Sequence, residues 1–103
     1  METRTLGNTD MKITRIGFGA WAIGGGNWAF AWGPQDDNQS LEAIRHAMEK
    51  GMNWIDTAAV YGLGHSEEIV GKAIKGINPR PYIFTKCGLV WDDSRRTSQN
   101  LKA

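Results

Sequence analysis

The sequence predicts an α/β fold built on a parallel sheet, and three observations carry that prediction. Short apolar runs of strand length alternate with two stretches whose apolar residues recur at helical spacing. Glycines close both helical stretches. The residues best suited to chemistry gather in or beside the loops that follow the apolar runs, where parallel α/β folds place their sites.

The opening segment, Thr3 to Thr14, reads as two short extended pieces around Gly7-Asn8-Thr9-Asp10, a turn signal that predicts a hairpin. Arg15 to Gly19 reads as a short buried strand. A loop rich in glycine and tryptophan follows, Ala20 to Pro34. Asp36, Asp37 and Asn38 then offer a cap and an acidic first turn. Leu41, Ile44 and Met48, with Ala47 beside them, form the apolar face of the first helix, while Glu42, Arg45 and Glu49 face elsewhere. Gly51 stops it. Asn53 to Thr57 is the next strand, feeding a loop from Ala58 to His65. Ser66 is expected to cap a second helix, with Glu67 and Glu68 at its positive end and Ile69, Val70, Ala73 and Ile74 on its apolar face. Gly76 ends that helix, Asn78-Pro79-Arg80-Pro81 is a turn, and Tyr82 to Thr85 is a third strand. Thr97-Ser98 reads as the cap of a third helix. Such alternation implies right-handed crossovers between parallel strands. A third strand without a covering helix leaves apolar surface bare and a sheet edge unpaired, so the segment is expected to belong to a longer architecture or to be a truncation.

Composition narrows the functional classes. The 103 residues suit one small domain, and the hydrophobic fraction of 41% is that of an ordinary globular protein. Twelve basic and 11 acidic residues give a net charge of +1, which exerts no long-range pull on nucleic acid or anionic membrane. Neither is expected as a partner. The single cysteine, Cys87, excludes an internal disulfide and fits a reducing, cytoplasmic setting. The polar start is unlike a signal peptide. Five tryptophans are many for this length, and Trp21, Trp28, Trp32 and Trp91 fall in predicted loops. They either pack on their own domain or line a pocket for a flat ligand.

Gly17-Phe18-Gly19-Ala20-Trp21-Ala22 matches a loose dinucleotide fingerprint. That fingerprint needs a helix opening directly after the glycines, and Gly24, Gly25, Gly26, Asn27 and Pro34 are expected to prevent one. Close backbone packing at a strand end is the better reading.

The stretch Gly51 to Ile74 carries more. Asp56 ends an apolar strand, where a carboxylate is costly unless paired. Tyr61 follows five residues later, flanked by Gly62 and Gly64. Lys86 ends the third strand. Each has an ordinary reading as a turn anchor, a packed loop residue and a snorkelling lysine. Adjacent parallel strands, however, would bring Asp56 and Lys86 within ion-pair reach, with Tyr61 above them. A free phenol, with a pKa near ~10, is a poor acid at neutral pH. A buried ammonium beside it favours the phenolate and makes proton donation to a developing alkoxide feasible. The trio suits carbonyl reduction, with a cofactor supplying hydride.

Asp56-Thr57-Ala58, Tyr61-Gly62, Ser66-Glu67, Gly71 and Ala73, together with Ile16-Gly17-Phe18-Gly19-Ala20-Trp21 and Thr85-Lys86, resemble the signature of aldo-keto reductases over nearly the whole chain. Trp21-Ala22-Ile23-Gly24-Gly25 and the run from Lys86 to Trp91 look most like bacterial members with broad carbonyl substrates. The resemblance implies a (β/α)8 barrel whose bottom is closed by an N-terminal hairpin, here residues 1–14, with residues 15–103 supplying the first three strands, two helices and the start of a third. It implies NADPH as cofactor and a small aldehyde or ketone as substrate. Asp56, Tyr61 and Lys86 match three members of the family's catalytic set. Gly19, Ala20, Trp21 and Asp56 would lie near the nicotinamide, and Trp21, Tyr61 and Trp91 would line the substrate pocket. The fourth catalytic member, a histidine on the fourth strand, has no counterpart, since neither His46 nor His65 matches its motif. The rest of the barrel, or self-association, would be needed to cover the open edge. Two other readings stand beside the reductase: a non-catalytic regulatory subunit of the same fold, and an inactive fragment.

Overall fold

The computed structural model describes residues 1–26, 30–31 and 33–101. Trp28 and Trp32, expected in the first loop, lie outside the described residues, as does Asn27.

The hairpin forms as its turn residues dictate. β1 (Thr3–Thr5) pairs antiparallel with β2 (Lys12–Thr14), in the register Thr3 with Thr14 and Thr5 with Lys12. Gly7, at φ +55°, supplies the left-handed turn conformation. Thr9 caps the turn by donating from Oγ1 to the Leu6 carbonyl at 2.6 Å. The hairpin is riveted to the parallel sheet at the foot of β4 (Trp54–Asp56). Asn53 accepts from the Thr14 amide at 2.9 Å and donates to the Lys12 carbonyl at 2.8 Å, while the Trp54 indole donates to the Thr14 carbonyl at 2.8 Å.

The parallel sheet has the order β3 (Phe18–Gly19), β4, β5 (Tyr82–Phe84). Phe18 faces Ile55 and Gly19 faces Asp56, while Asp56 also faces Phe84. The helices between these strands are α1 (Asp37–Glu49) and α2 (His65–Ile74). Asp36 caps α1 by accepting from the amides of Asn38 and Gln39, at 2.9 and 3.2 Å. The apolar stripes of both helices meet the inner strand: Ile44 and Ala47 from α1, and Ile69, Val70 and Ala73 from α2, are buried, and Ile55 of β4 is buried with them. Ala20 and Ile23 close the top of this core.

Four sequence expectations need correction. The buried strand at Arg15 to Gly19 shrinks to Phe18–Gly19; among the described residues β3 pairs with β4 alone, and Ile16 is 59% exposed. The loop after β3 does hold a helix, a single 3-10 turn at Ala22–Gly24, ended by Gly25 at φ +75°. Ser66 is not the cap of α2: Gly64, at φ +100°, holds that position, His65 is the first helical residue, and Ser66 is turned inward and fully buried. Thr97-Ser98 begins no helix. It lies in β7 (Thr97–Gln99), antiparallel to β6 (Leu89–Trp91). Asp92 organises the connecting turn, accepting from the amides of Ser94 and Arg96 at 2.9 and 3.0 Å, and Arg95 takes the left-handed conformation at φ +63°. The side chain of Asp92 thus holds a tight turn that returns Thr97–Gln99 alongside Leu89–Trp91.

Candidate active site

The carboxyl end of the parallel sheet gathers the three predicted side chains. Asp56 is the last residue of β4, and Lys86 lies two residues beyond the end of β5. Lys86 Nζ is 3.0 Å from each carboxylate oxygen of Asp56. It also donates to the Thr57 carbonyl at 2.8 Å and to the Tyr61 hydroxyl oxygen at 3.3 Å. An ammonium has three hydrogens, and here it has three acceptor groups, so the charged form is the one that fits. Partial burial pulls the Lys86 pKa down, but the hydrogen bonds and charge of Asp56 and the Tyr61 oxygen outweigh it, and the net shift is upward from the ordinary 10.5.

The expectation of a buried ammonium is corrected. The side chains of Lys86 and Asp56 are 49% and 41% exposed, on the rim rather than inside the core. Solvent screens such a pair, so its contribution to stability is small, and its value is geometric.

Tyr61 is held by an unusual loop. Gly62, Leu63 and Gly64 all have positive φ, at +64°, +54° and +100°. Leu63 pays the steric cost that glycine escapes, on the order of 1–2 kcal/mol, and the surrounding structure enforces it. The loop is clamped against the 3-10 turn: a Cβ added to Gly24 would stand 2.5 Å from the Gly62 nitrogen and 2.7 Å from the Tyr61 carbonyl carbon. Only two glycines allow main chain to approach main chain so closely. Ala58 and Val60 are buried beneath, with Leu63 and, from β6, Leu89 packed on them.

Trp21 lies over this loop. Its ring is stacked on that of Tyr61, with centroids 6.4 Å apart and planes inclined by 21°. Its indole donates to the Phe30 carbonyl at 2.9 Å, and the residue remains 42% exposed. Gly19 pairs in register with Asp56, and a Cβ there would meet nothing within 4 Å. An open strip of backbone thus runs beside the carboxylate. Trp91 is on β6, in a groove of about 300 Å³ shared with Gly62, Leu63 and Arg95. The structure therefore gathers Gly19, Trp21, Asp56, Tyr61 and Lys86, and sets Trp91 beside the loop that carries Tyr61. Ala20 is buried just below, its amide donating to the Asp56 carbonyl at 2.9 Å.

The histidines stay apart. His65 bonds Asp37 at 2.8 Å, joining the starts of the two helices, and His46 is exposed on α1. Among the described residues no cluster of three or more His, Cys, Asp or Glu could hold a metal, and no helix is long and apolar enough to cross a membrane. A cleft of about 380 Å³ at the opposite end of β4 and β5, lined by Met48, Met52, Pro79 and Tyr82, contains no carboxylate, histidine or lysine.

Sequence reasoning missed two features of the site. The buried hydroxyls of Thr57 and Ser66 are 2.9 Å apart, and Ser66 donates to the Ala20 carbonyl at 3.0 Å. The Gly24 approach to Gly62 is the other. Nothing local distinguishes Ser66 from a cap, or Gly24 from its neighbours Gly25 and Gly26; both depend on what packs against them.

The chain is thus a parallel β/α sheet that carries a carboxylate, an ammonium and a phenol together at one rim. Residues 15–103 match the aldo/keto reductase family, and the chain belongs to it. It is 44% identical over 97 residues to the aldo-keto reductase YhdN of Bacillus subtilis, covering 92% of this chain and 28% of that protein. It is 45% identical over 95 residues to the NADH-specific methylglyoxal reductase of Escherichia coli, covering 89% of this chain and again 28% of that protein. Among solved structures, an aldo-keto reductase from Bacillus halodurans in its holo form superposes with a TM-score of 0.82 at 27% identity, over 97% of this chain and 30% of that one. The chain therefore spans somewhat under a third of these relatives, and it has the fold of the hairpin and opening parallel β/α units of their barrel.

Proposed function

We propose that the protein carrying this chain reduces aldehydes or ketones to alcohols with NADPH as reductant, and that Tyr61 donates the proton. The observation that carries the reading is the Lys86 ammonium, tied to both oxygens of Asp56 and touching the Tyr61 oxygen at 3.3 Å. The residues present fit a nicotinamide: Gly19 offers a backbone face with no obstruction within 4 Å, beside Asp56 and close to the exposed edge of Trp21. When bound, the nicotinamide supplies a hydride to the carbonyl carbon.

The side chains handle the proton. Tyr61 gives its phenolic proton to the carbonyl oxygen as charge develops there. Lys86 already donates to the Tyr61 oxygen, so the negative charge left on that oxygen meets an ammonium in place. Asp56 keeps the ammonium charged and fixed. Trp21, Tyr61 and Trp91 form the apolar walls that orient the substrate. Residues 1–14 act as the bottom cap, and residues 15–103 as the opening units, of a barrel whose remaining part holds the rest of the cofactor. The name of the Escherichia coli relative makes NADH the competing reductant, and parallel titrations with the two nucleotides decide between them.

Tyr61→Phe tests the reading. With a simple aldehyde, turnover should fall by at least about 10²-fold, the scale of a lost general acid, while nucleotide affinity stays within about twofold. Turnover comparable to the parent would remove Tyr61 from the acid role.

A further inference from the structure

Thr57 and Ser66 are polar residues in an apolar place. They are 1% and 0% exposed, at the top of a core formed by Ala20, Ile55 and Ile69. Buried hydroxyls need partners, and these two supply each other. The Ser66 proton goes to the Ala20 carbonyl at 3.0 Å, so in the 2.9 Å contact between the hydroxyls Thr57 is the donor. The chain of bonds runs from β4 through α2 to the end of β3.

The same threonine peptide is held on its other sides. Its amide donates to the Phe84 carbonyl of β5 at 2.8 Å. Its carbonyl accepts from Lys86 Nζ at 2.8 Å, the shortest contact the ammonium makes. The carbonyl is therefore aimed by a residue pinned at its amide and its side chain. Lys86 has long, flexible methylenes and needs fixed acceptors to stay near Tyr61. Asp56 supplies two oxygens from an exposed side chain, and Thr57 supplies the one that belongs to the backbone.

We infer that Thr57 and Ser66 are a positioning pair for Lys86: their buried hydroxyls fix the Thr57 carbonyl that holds the ammonium, and fasten the ends of β3 and β4 beneath it. Neither touches substrate; both act through the lysine. The kinetic part of this inference rests on the reductase reading, and the geometric part does not.

The test compares Thr57→Val, which keeps the volume and loses the hydroxyl, with Thr57→Ser, which does the reverse. Both are made in the protein carrying this chain. Two experiments are read: the titration of Lys86 by NMR of labelled lysine, assigned with Lys86→Met, and the kinetics, kcat and KM, with a simple aldehyde. Thr57→Val should lower the Lys86 midpoint, because the ammonium loses a fixed acceptor. It should also lower kcat about tenfold with KM nearly constant, short of the roughly 10²-fold that a full ångström of misplacement costs. Thr57→Ser should retain both values. A packing role alone predicts the opposite order, with the void left by serine doing the damage. An unmoved midpoint in Thr57→Val, or equal harm from the two variants, overturns the inference. If the parent turns over no aldehyde, the reductase reading fails and the titration still decides. Should Thr57→Val not fold, Ser66→Ala carries the same two readouts and the same expectations.

Discussion

A methyl group on Gly24 should displace Tyr61 without altering any chemical group. The added Cβ would stand 2.5 Å from the Gly62 nitrogen, 2.7 Å from the Tyr61 carbonyl carbon and 3.0 Å from the Gly62 Cα. Ordinary contact begins near 3.4 Å. The two segments must therefore separate by close to an ångström, and main chain on the far side cannot rotate away as a side chain would. Overpacking of this kind costs typically about 1–3 kcal/mol, and a backbone obstruction belongs at the upper end. Alanine restricts the unfolded chain more than glycine does and returns about 0.4–1 kcal/mol. The net loss for Gly24→Ala is then about 2 kcal/mol. The urea midpoint should fall accordingly at constant slope, and the Tyr61 and Lys86 resonances should shift. Gly25→Ala is the control: it adds strain at φ +75°, but its Cβ meets nothing within 4 Å, so stability falls while Tyr61 stays put. If Gly24→Ala were as stable as the parent, with Tyr61 unmoved, the clamp would not be what holds the phenol.

Two further outcomes follow from the rim. Gly19→Ala puts a Cβ into open space at a residue without positive φ, so stability should change by less than about 0.5 kcal/mol while nucleotide affinity drops; unchanged affinity would move the nicotinamide elsewhere. Asp56→Asn removes the carboxylate that raises the Lys86 pKa and leaves the opposing effect of burial, so the Lys86 midpoint should fall. Because that pKa is raised in the folded state, the stability it contributes is complete below 10.5 and is lost as pH climbs through the higher folded value. Asp56→Asn should therefore narrow the difference in stability between neutral and strongly alkaline pH, and an unaltered alkaline limb would contradict the assignment.

Strong local signals made parts of this architecture readable in advance. The turn at Gly7 to Asp10 announces the hairpin because positive φ is a property of the residue itself. The stripes of α1 and α2 are visible because helical spacing survives without neighbours. The trio is legible because strand ends in a parallel sheet share one rim, which puts Asp56 and Lys86 side by side. What escaped was decided by partners distant in sequence. Ser66 looks like a cap, but burial against Thr57 and Ala20 turned it inward and left Gly64 to start the helix. Thr97-Ser98 is equally suited to a cap and a strand, and Leu89–Trp91 together with Asp92 settled it as a strand. The exposure of Lys86 was misjudged because a strand end says where a side chain starts, and not how much solvent reaches its tip.

The ligands of the ammonium come from a stretch of only six residues, Asp56 to Tyr61, and the lysine itself from the strand alongside. Pairing β4 with β5 is what carries the lysine to these acceptors, while the Gly24 clamp and the Thr57 to Ser66 contact set where the acceptors stand. Loop closure over some thirty positions is a modest entropic hurdle. The lysine and its acceptors thus meet across one strand pairing, and the seat of the phenol is set separately, from the segments that pack on its loop.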